Sequence, residues 1–289
     1  MSVLSDTSRS YYRWRCIPGE FLIMSKKGTR WARLGSALFA LGFSSFVAAA
    51  QPKSELAPPP PLSPAEGARE ARSLLSNLLS QKPNDNVTNS GVLKIRDAER
   101  RERTVPARFD ITVQPGGWLN AYTAQATDGT PAQKLTVLHR DGAPDEYLYS
   151  VVAGTNATTR ALKGNDLMLP FAGSDFWAVD LGLEFLRWPQ QRVLKKQMRK
   201  NLFCDVLQST NPNPKPGAYS RVLSWIAVNR PDEVVVVHAE AYDNQDRLLK
   251  EFDPKKVQKV NGAWQLEEME IRNRQAGTRT RIEFNLDGQ

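Results

Sequence analysis

Few residues in this sequence have the types and spacing needed for catalysis or metal binding. Cys204 lies in a run with strand character, and only His139 and His238 are available as a base for it. We therefore expect a buried, unreactive thiol. The two histidines lack the Cys/His spacing of a metal site, so we expect no metal and no cofactor. Without a G-x-S-x-G, P-loop or dinucleotide motif, we expect a protein that is not an enzyme.

Two groups of charged residues toward the C-terminus have types that can support acid–base chemistry. Glu268 and Glu270 share one face of a predicted strand while Glu267 points to the other, and we predict that this group is solvated. Asp243 and Lys250 flank a predicted hairpin. We interpret them as surface charges that mark the fold, and an ion pair between them would add at most ~1 kcal/mol. Neither group is expected to be a catalytic site.

The segment from Met24 to Ala50 predicts a cleaved secretory signal. Basic side chains precede an apolar stretch at 34–47, and Ala48-Ala49-Ala50 forms an A-x-A cleavage site. A helix of about 15 residues spans roughly 22 Å, which is short of the ~30 Å hydrocarbon core of a membrane. We therefore expect cleavage near Ala50 and a periplasmic location.

The net charge of +8 comes largely from the start of the chain. Residues 1–50 contain seven Lys/Arg and two Asp/Glu, and without them the formal net charge falls to +3. Charges of both signs are interspersed in the remainder, which argues against a nucleic-acid groove. Residues 1–23 precede a signal that is complete from Met24. We hypothesise that they are a non-native extension and that translation starts at Met24.

The rest of the chain divides into a tether and one domain. Residues 51–63 are proline-rich and poor in core-forming side chains, which predicts an extended tether. The domain, 64–289, opens with a helix for which Ser63 supplies the N-cap, Pro64 the first position and Glu66 a capping box. Alanine and leucine residues at three- and four-residue steps give this helix one apolar stripe.

After this helix the periodicity changes to two residues, which is typical of strands. Short turns separate these runs, and this favours an antiparallel sheet over βαβ units. One stretch, 167–188, interrupts them and predicts a helix that begins at Gly173-Ser174-Asp175 with Ser174 as its cap. The fold class is therefore mainly β (α+β). The predicted strands are 91–96, 107–113, 118–126, 133–140, 146–152, 191–200, 202–209, 219–228, 234–242, 246–252, 257–260, 264–273 and 280–286.

A series of short motifs in the second half of the domain is similar to a known family. The motifs are, in order, FAGSDFWAVDL at 171–181, CDVLQS at 204–209, Trp225, AEAYDNQDRLLKEF at 239–252, VNGAWQLEEMEIRN at 260–273 and GTRTRIEF at 277–284. Together they resemble the outer-membrane lipoprotein-sorting protein family, related to the LolA/LolB type of periplasmic lipoprotein carrier. The earlier part of the domain, 64–152, agrees with this family only in its pattern of one helix followed by strands.

The resemblance implies a curved antiparallel sheet that forms an unclosed half-barrel, with an N-terminal helix and a mid-chain helical segment covering its concave face. It implies a monomer whose partners are lipid acyl chains or lipoproteins, with an inner-membrane transporter or an outer-membrane acceptor in addition. An acyl chain of about 16 carbons costs on the order of 12 kcal/mol in water, so a carrier needs a dry cavity. The lysine- or arginine-centred exchange apparatus of the better-known relatives is not located in this sequence.

Seven apolar side chains are the candidates for contact with an acyl chain. In a half-barrel the cavity wall and the packed core are the same face, so the alternative is that these side chains plug the sheet. The candidates are Phe171, Phe176, Trp177, Leu181, Leu183, Trp225 and Trp264. We therefore expect a lipid or lipoprotein carrier or chaperone in outer-membrane lipoprotein sorting. The alternatives are a non-enzymatic interaction module of an envelope complex or membrane transporter and, third, an envelope hydrolase.

Overall fold

The computed structural model describes most of the chain from residue 60 onward. The described residues are 13–15, 23–25, 60–127, 129–154, 156–230, 233–260 and 263–285, with only the backbone described at 13–15, 23–25, 153, 229–230, 233, 258–260 and 263–265. The predicted start extension, secretory signal and residues 51–59 of the tether are outside the described residues. The exceptions are the two short stretches 13–15 and 23–25. No described helix combines the length and the apolar character that crossing a bilayer requires.

Thirteen strands form one antiparallel sheet, and a separate pair lies near the start of the chain. The pair joins β1 (Arg13–Arg15) to β2 (Ile23–Ser25). The strands of the large sheet are β3 (Val87–Arg96), β4 (Glu102–Gln114), β5 (Gly117–Ala124), β6 (Ala132–Arg140), β7 (Glu146–Ala153), β8 (Asn156–Leu162), β9 (Gln190–Arg199), β10 (Leu202–Thr210), β11 (Arg221–Arg230), β12 (Glu233–Tyr242), β13 (Leu248–Val260), β14 (Ala263–Asn273) and β15 (Thr278–Asn285). Their order across the sheet is β8-β7-β6-β5-β4-β3-β15-β14-β13-β12-β11-β10-β9.

Residues 163–189 connect the two edge strands, β8 and β9, and cross one face of the sheet. We call them the covering segment. The face beneath it, which carries Tyr122, Tyr147, Lys250 and Thr280, is the inner face. The helical parts of the segment are a 3-10 helix at Gly164–Met168, the α-helix α2 at Ala178–Leu181 and a second 3-10 helix at Glu184–Arg187.

Two contacts of the covering segment show how strongly the sheet curves. Tyr147 on β7 donates a hydrogen bond to the Gly182 carbonyl at 3.2 Å, and Lys250 on β13 lies 3.7 Å from Asp180. In a flat sheet β7 and β13 would be seven strand spacings apart, or about 34 Å. The chain from Asp180 to Gly182 extends at most about 7 Å, so the sheet must curl around it. The predicted unclosed half-barrel with helical cover is confirmed.

Two strands differ from the predictions. β8 is an edge strand in which only Leu162 is buried, so it lacks the alternation that reveals a half-buried strand. The predicted strands 246–252 and 257–260 are one strand, β13, which contains Pro254. β13 pairs with β12 only as far as Phe252, so the missing N–H of Pro254 removes no hydrogen bond from that pairing.

The helix predicted to begin at Ser174 also differs. The only α-helix among the described residues of this segment, α2, begins at Ala178, and the Asp180 carboxylate accepts the Trp177 N–H at 2.8 Å at its start. The Ser174 hydroxyl accepts an N–H two residues along instead of capping a helix. Asp175 does not lie in a first helical turn because its carboxylate is hydrogen-bonded to the sheet.

Helix α1 spans Pro64–Leu79 and begins as the sequence predicts. The Ser63 hydroxyl accepts the Glu66 N–H, and the Glu66 carboxylate accepts the Ser63 N–H at 3.1 Å, which completes the capping box. The helix packs closely against β9. A Cβ atom added to Gly67 would lie 2.3 Å from the Val193 carbonyl oxygen, so this position requires glycine.

Candidate functional site

The covering segment forms an apolar plug on the inner face. Five of the seven predicted ligand-contact residues belong to it, and the structure brings them together. Phe171, Phe176 and Leu181 are buried in the core, and Trp177 and Leu183 are partly buried against it.

Aromatic contacts join this plug to its surroundings. The Phe176 ring lies edge-on to Phe252 of β13, with 6.2 Å between the ring centroids. Trp177 stacks on Tyr219 at 4.9 Å. Aromatic pairs in these arrangements add to the stabilisation that comes from apolar burial. The plug is therefore a well-packed part of the core in this closed arrangement.

Trp225 and Trp264, the other two candidates, are placed differently. Trp225 is paired with His238 of β12, whose neighbour Ala239 is on the inner face, so Trp225 lies on the opposite face. Its indole is under the Arg199 guanidinium, which lies 4.6 Å from the ring centroid. Trp264 is on β14, and its side chain lies outside the described residues.

Lys250 is buried beneath the covering segment, and the interpretation of Lys250 and Asp243 as surface charges is wrong. Its side chain is 1% exposed. The ammonium group donates to the Asp175 carbonyl at 2.6 Å, lies 3.7 Å from the Asp180 carboxylate and is 3.2 Å from the centroid of the Trp177 ring. Asp243 is also buried, but it accepts hydrogen bonds from the backbone of its own hairpin turn.

Burial determines the electrostatics of this pair. It lowers the pKa of Lys250 to about 7, although the charge of Asp180 opposes the change. It likewise raises the pKa of Asp180, against the charge of Lys250. The Tyr219 hydroxyl donates to both Asp180 oxygens, at 2.9 and 3.1 Å. Because the two groups interact closely, they titrate as one coupled pair.

Side-chain hydrogen bonds fasten the covering segment to strands β4, β5, β7 and β15 of the half-barrel. They are Tyr122 to the Leu181 carbonyl at 2.9 Å, Tyr147 to the Gly182 carbonyl at 3.2 Å, Arg103 to the carbonyls of Ala172 and Gly173 at 2.8 and 3.1 Å, and Thr280 and Thr278 to the Asp175 carboxylate at 2.9 and 2.5 Å. None of these bonds belongs to the ladder of the sheet. They can break without separating any two strands.

The space left beneath the covering segment is small. A cavity of about 10 Å³ lies beside Lys250, Asp180 and Tyr219. This volume holds at most one water molecule. The cavity is therefore too small for an acyl chain in this arrangement of the covering segment.

A larger groove lies between α1 and the start of β9. Its volume is about 690 Å³, and apolar side chains that line it include Pro64, Leu75, Leu79 and Pro189. Ligand pockets commonly have volumes of about 300–1,000 Å³, so this groove has the size of a binding site. Its wall is mixed, because two arginines, three glutamines, a serine and a threonine also line it.

Sequence reasoning missed Lys250 and Asp180 as members of the site. A signal for Lys250 was present, because it lies two residues before Phe252 and so shares the face of the strand that carries this apolar side chain. The role of Asp180 had no comparable signal. Its partners, Lys250 and Tyr219, are distant in sequence and meet it only through the crossing of the covering segment.

Two further predictions about charged and reactive residues have different outcomes. Cys204 is buried as predicted, and burial raises the pKa of its thiol to about 11. The prediction that Glu270 is solvated is wrong, because its side chain is 1% exposed and ion-paired with Arg272 and Arg281. In the part of the chain that the structure describes, no group of three or more His, Cys, Asp or Glu residues is arranged to hold a metal ion.

The chain matches a protein family model. A family model described as "-like: Uncharacterized protein" matches residues 131–286, which is just over half of the chain. The comparison with curated proteins gives no match.

Solved structures with the same fold include three proteins of low sequence identity. A DUF1329 family protein from Desulfovibrio piger has a TM-score of 0.61 and 16% identity, and the alignment covers 76% of this chain and 92% of that one. A domain described as an outer membrane lipoprotein-sorting protein, from Vibrio parahaemolyticus, has a TM-score of 0.61 and 17% identity, with 77% and 92% covered. A LolA superfamily protein from Nitrosomonas europaea has a TM-score of 0.52 and 13% identity, with 76% and 91% covered.

Proposed function

We infer that this chain, which belongs to the family matched over residues 131–286 and has the LolA-like fold of lipoprotein-sorting proteins, is a non-enzymatic carrier of lipid or lipoprotein acyl chains. The acyl chain binds on the inner face, in place of the plug that the covering segment forms there. The proposed compartment is the periplasm, because Met24–Ala50 has the features of a cleaved secretory signal. An inner-membrane transporter or an outer-membrane acceptor is the proposed partner.

One observation carries this proposal: an apolar plug is held over the inner face by side-chain hydrogen bonds that are separate from the sheet. Each such bond stabilises the closed arrangement by about 1 kcal/mol net. Transfer of an acyl chain of about 16 carbons out of water supplies on the order of 12 kcal/mol. An incoming chain can therefore offset the loss of the anchoring bonds and replace the buried contacts of Phe176 and Leu181.

Titration with a fluorescent fatty acid tests this proposal. Phe176 is 0% exposed in the plug, whereas Phe203 is 56% exposed on β10. Phe176→Ala weakens the closed arrangement, by about 3–5 kcal/mol if the cavity does not collapse, and so raises the population that binds lipid. We expect saturable binding by the wild type, tighter binding by Phe176→Ala and unchanged binding by Phe203→Ala. Absence of saturable binding in all three proteins would contradict the proposal.

A second function, an interaction module without a lipid ligand, is favoured by the small cavity beside Lys250. With only about 10 Å³ of space there, the inner face is already filled by the protein's own side chains. In that case the covering segment is a permanent part of the core, and the fluorescent fatty acid does not bind. The proline-rich residues 51–63 would then serve as a tether that lets the module reach an envelope complex.

A further inference from the structure

A row of three arginines crosses neighbouring strands at one end of the sheet. Arg272 on β14 is paired with Arg279 on β15, and Arg279 is paired with Arg96 on β3. Side chains directly opposite each other in an antiparallel sheet have Cβ atoms about 5 Å apart, and like charges in these positions destabilise the sheet. The fold therefore keeps an unfavourable arrangement of charge at this place.

These arginines line a groove with a volume of about 400 Å³. Two more arginines, Arg100 in the β3–β4 turn and Arg274 in the β14–β15 turn, complete its basic wall. We call this the arginine groove. It is separate from the cavity beside Lys250 and from the groove along α1.

The acidic residues near the arginine groove do not balance its charge. The buried Glu270 carboxylate is shared by four cations, with Arg272 at 2.6 Å, Arg281 at 3.1 Å, and Arg279 and Lys255 at 3.5 Å. Asp97 is engaged by Arg101 at 2.6 Å, and Arg274 pairs with Glu251.

Two of the arginines have charges that are not engaged. Among the described residues, neither Arg96 nor Arg100 forms an ion pair, although Arg96 is in register with Glu102 of β4. Arg96 is half-buried and Arg100 is exposed, so both remain accessible from the groove.

We propose that the arginine groove binds a phosphate group. Guanidinium groups bind phosphate through two parallel N–H···O bonds, and several of them around one concave site match a doubly charged oxyanion. A bound phosphate would also relieve the repulsion along the row Arg272–Arg279–Arg96. The phosphate can belong to a lipid headgroup or to a small soluble molecule.

The position of the groove connects it with the covering segment. Thr278 lines the groove, and its hydroxyl donates to the Asp175 carboxylate at 2.5 Å. One residue, Thr278, therefore borders the groove and also anchors the covering segment. The proposal does not depend on acyl-chain binding, because phosphate binding is measured without any acyl chain.

Calorimetric titration with inorganic phosphate at constant ionic strength tests the site. The test variants are Arg96→Lys, which keeps the charge but loses the two-pronged geometry, and Arg279→Gln. The control is Arg108→Gln on β4, an exposed arginine paired with Asp110 and outside the groove. We expect saturable binding by the wild type and by Arg108→Gln, and binding about tenfold weaker in both test variants.

Co-sedimentation with vesicles distinguishes the two sources of phosphate. Vesicles of phosphatidylcholine mixed with phosphatidic acid, whose phosphate monoester can carry two negative charges, are compared with vesicles of phosphatidylcholine alone. Sedimentation with the mixed vesicles supports a lipid headgroup if inorganic phosphate reverses it. Calorimetric binding without sedimentation supports a soluble phosphate.

No saturable phosphate binding by the folded wild type, or equal weakening in Arg108→Gln, would overturn the proposal. The proposal would also be overturned if calorimetry detected no phosphate binding and the vesicle binding of Arg96→Lys and Arg279→Gln equalled that of the wild type.

Discussion

Lys250 and Asp180 form a buried ion pair although one lies on β13 and the other on the segment that crosses the half-barrel. The distance between Nζ and Oδ2 is 3.7 Å, and the two side chains are 1% and 6% exposed. Desolvation of such a pair opposes much of its attraction, so the pair contributes more to the position of the covering segment than to stability. Loss of one partner alone, however, leaves an uncompensated charge in the core.

We predict that Lys250→Ala lowers the free energy of unfolding by about 3–5 kcal/mol, because Asp180 is left buried without its cation. The double variant Lys250→Met/Asp180→Leu removes both charges and fills the space, so its stability is expected to return close to that of the wild type. Chemical denaturation of the three proteins measures both effects. An unchanged midpoint for Lys250→Ala would show that the pair is not buried as described.

The same pair predicts a pH dependence of stability. The pKa of Lys250 is lowered to about 7 in the folded protein, and that of an unfolded lysine is about 10.4, so the unfolded state binds more protons between these values. The titration of Lys250 therefore makes the free energy of unfolding rise with pH from about 7 upward, by at most about 1.4 kcal/mol per pH unit.

The reference for this measurement is the double variant Lys250→Met/Asp180→Leu. Burial lowers the pKa of His238, but the hydrogen bonds that its ring donates to the carboxylates of Asp253 and Glu240 outweigh burial and raise the pKa overall. His238 therefore makes stability fall as pH rises. His238 is present in both proteins, so the difference between them isolates the buried pair. If the wild type and the double variant had equal slopes of unfolding free energy against pH from 7 to 9, the pKa of Lys250 would not be lowered as described.

We predict that Gly182→Ala loosens the covering segment. A Cβ atom at this position would lie 2.3 Å from the Tyr147 ring and 2.4 Å from its hydroxyl, so the tyrosine must move and its bond to the Gly182 carbonyl is lost. Hydrogen exchange of residues 171–188 should become faster, with the rest of the sheet unchanged. Tyr147→Phe, which removes the bond without crowding, should give a smaller increase. Exchange at wild-type rates in Gly182→Ala would show that this contact does not hold the segment.

We predict that Gly67→Ala destabilises the protein although alanine is the better helix former. In an exposed helix interior this change stabilises by about 0.5–1 kcal/mol. Here the new methyl group would lie 2.3 Å from the backbone oxygen of Val193, which cannot move without shifting β9. Thermal unfolding measures the sign, with Ala68→Gly as the neighbouring change in the opposite direction. A higher melting temperature for Gly67→Ala would show that α1 is not packed on β9 as described.

Local signals in the sequence were sufficient to predict most of the helices and strands. Ser63 and Glu66 indicated where α1 begins. The turn at Lys200-Asn201 joins β9 to β10 as predicted, and both of its residues have positive φ. The alternation of apolar residues located the strands that bury one face. β8 was missed because it is an exposed edge strand.

The candidate site was predicted only in part, because its polar members depend on long-range contacts. Ser174 and Asp175 have the types of a helix start, yet Asp175 bonds to Thr280, which lies far along the chain. Lys250 was interpreted as a surface residue from its type alone. Its partner Asp180 reaches it through the crossing from β8 to β9, which no local pattern encodes.

The proposed carrier function is tested most directly by mass spectrometry of an organic-solvent extract of the protein, purified without detergent from the envelope of cells that produce it. Matched samples of Phe176→Ala and Phe203→Ala control for lipid that adheres to exposed aromatic side chains. We predict about one acyl-chain ligand per protein in the wild type, at least as much in Phe176→Ala and no change in Phe203→Ala. An extract free of lipid from all three folded proteins would contradict the account and leave the inner face as a filled core.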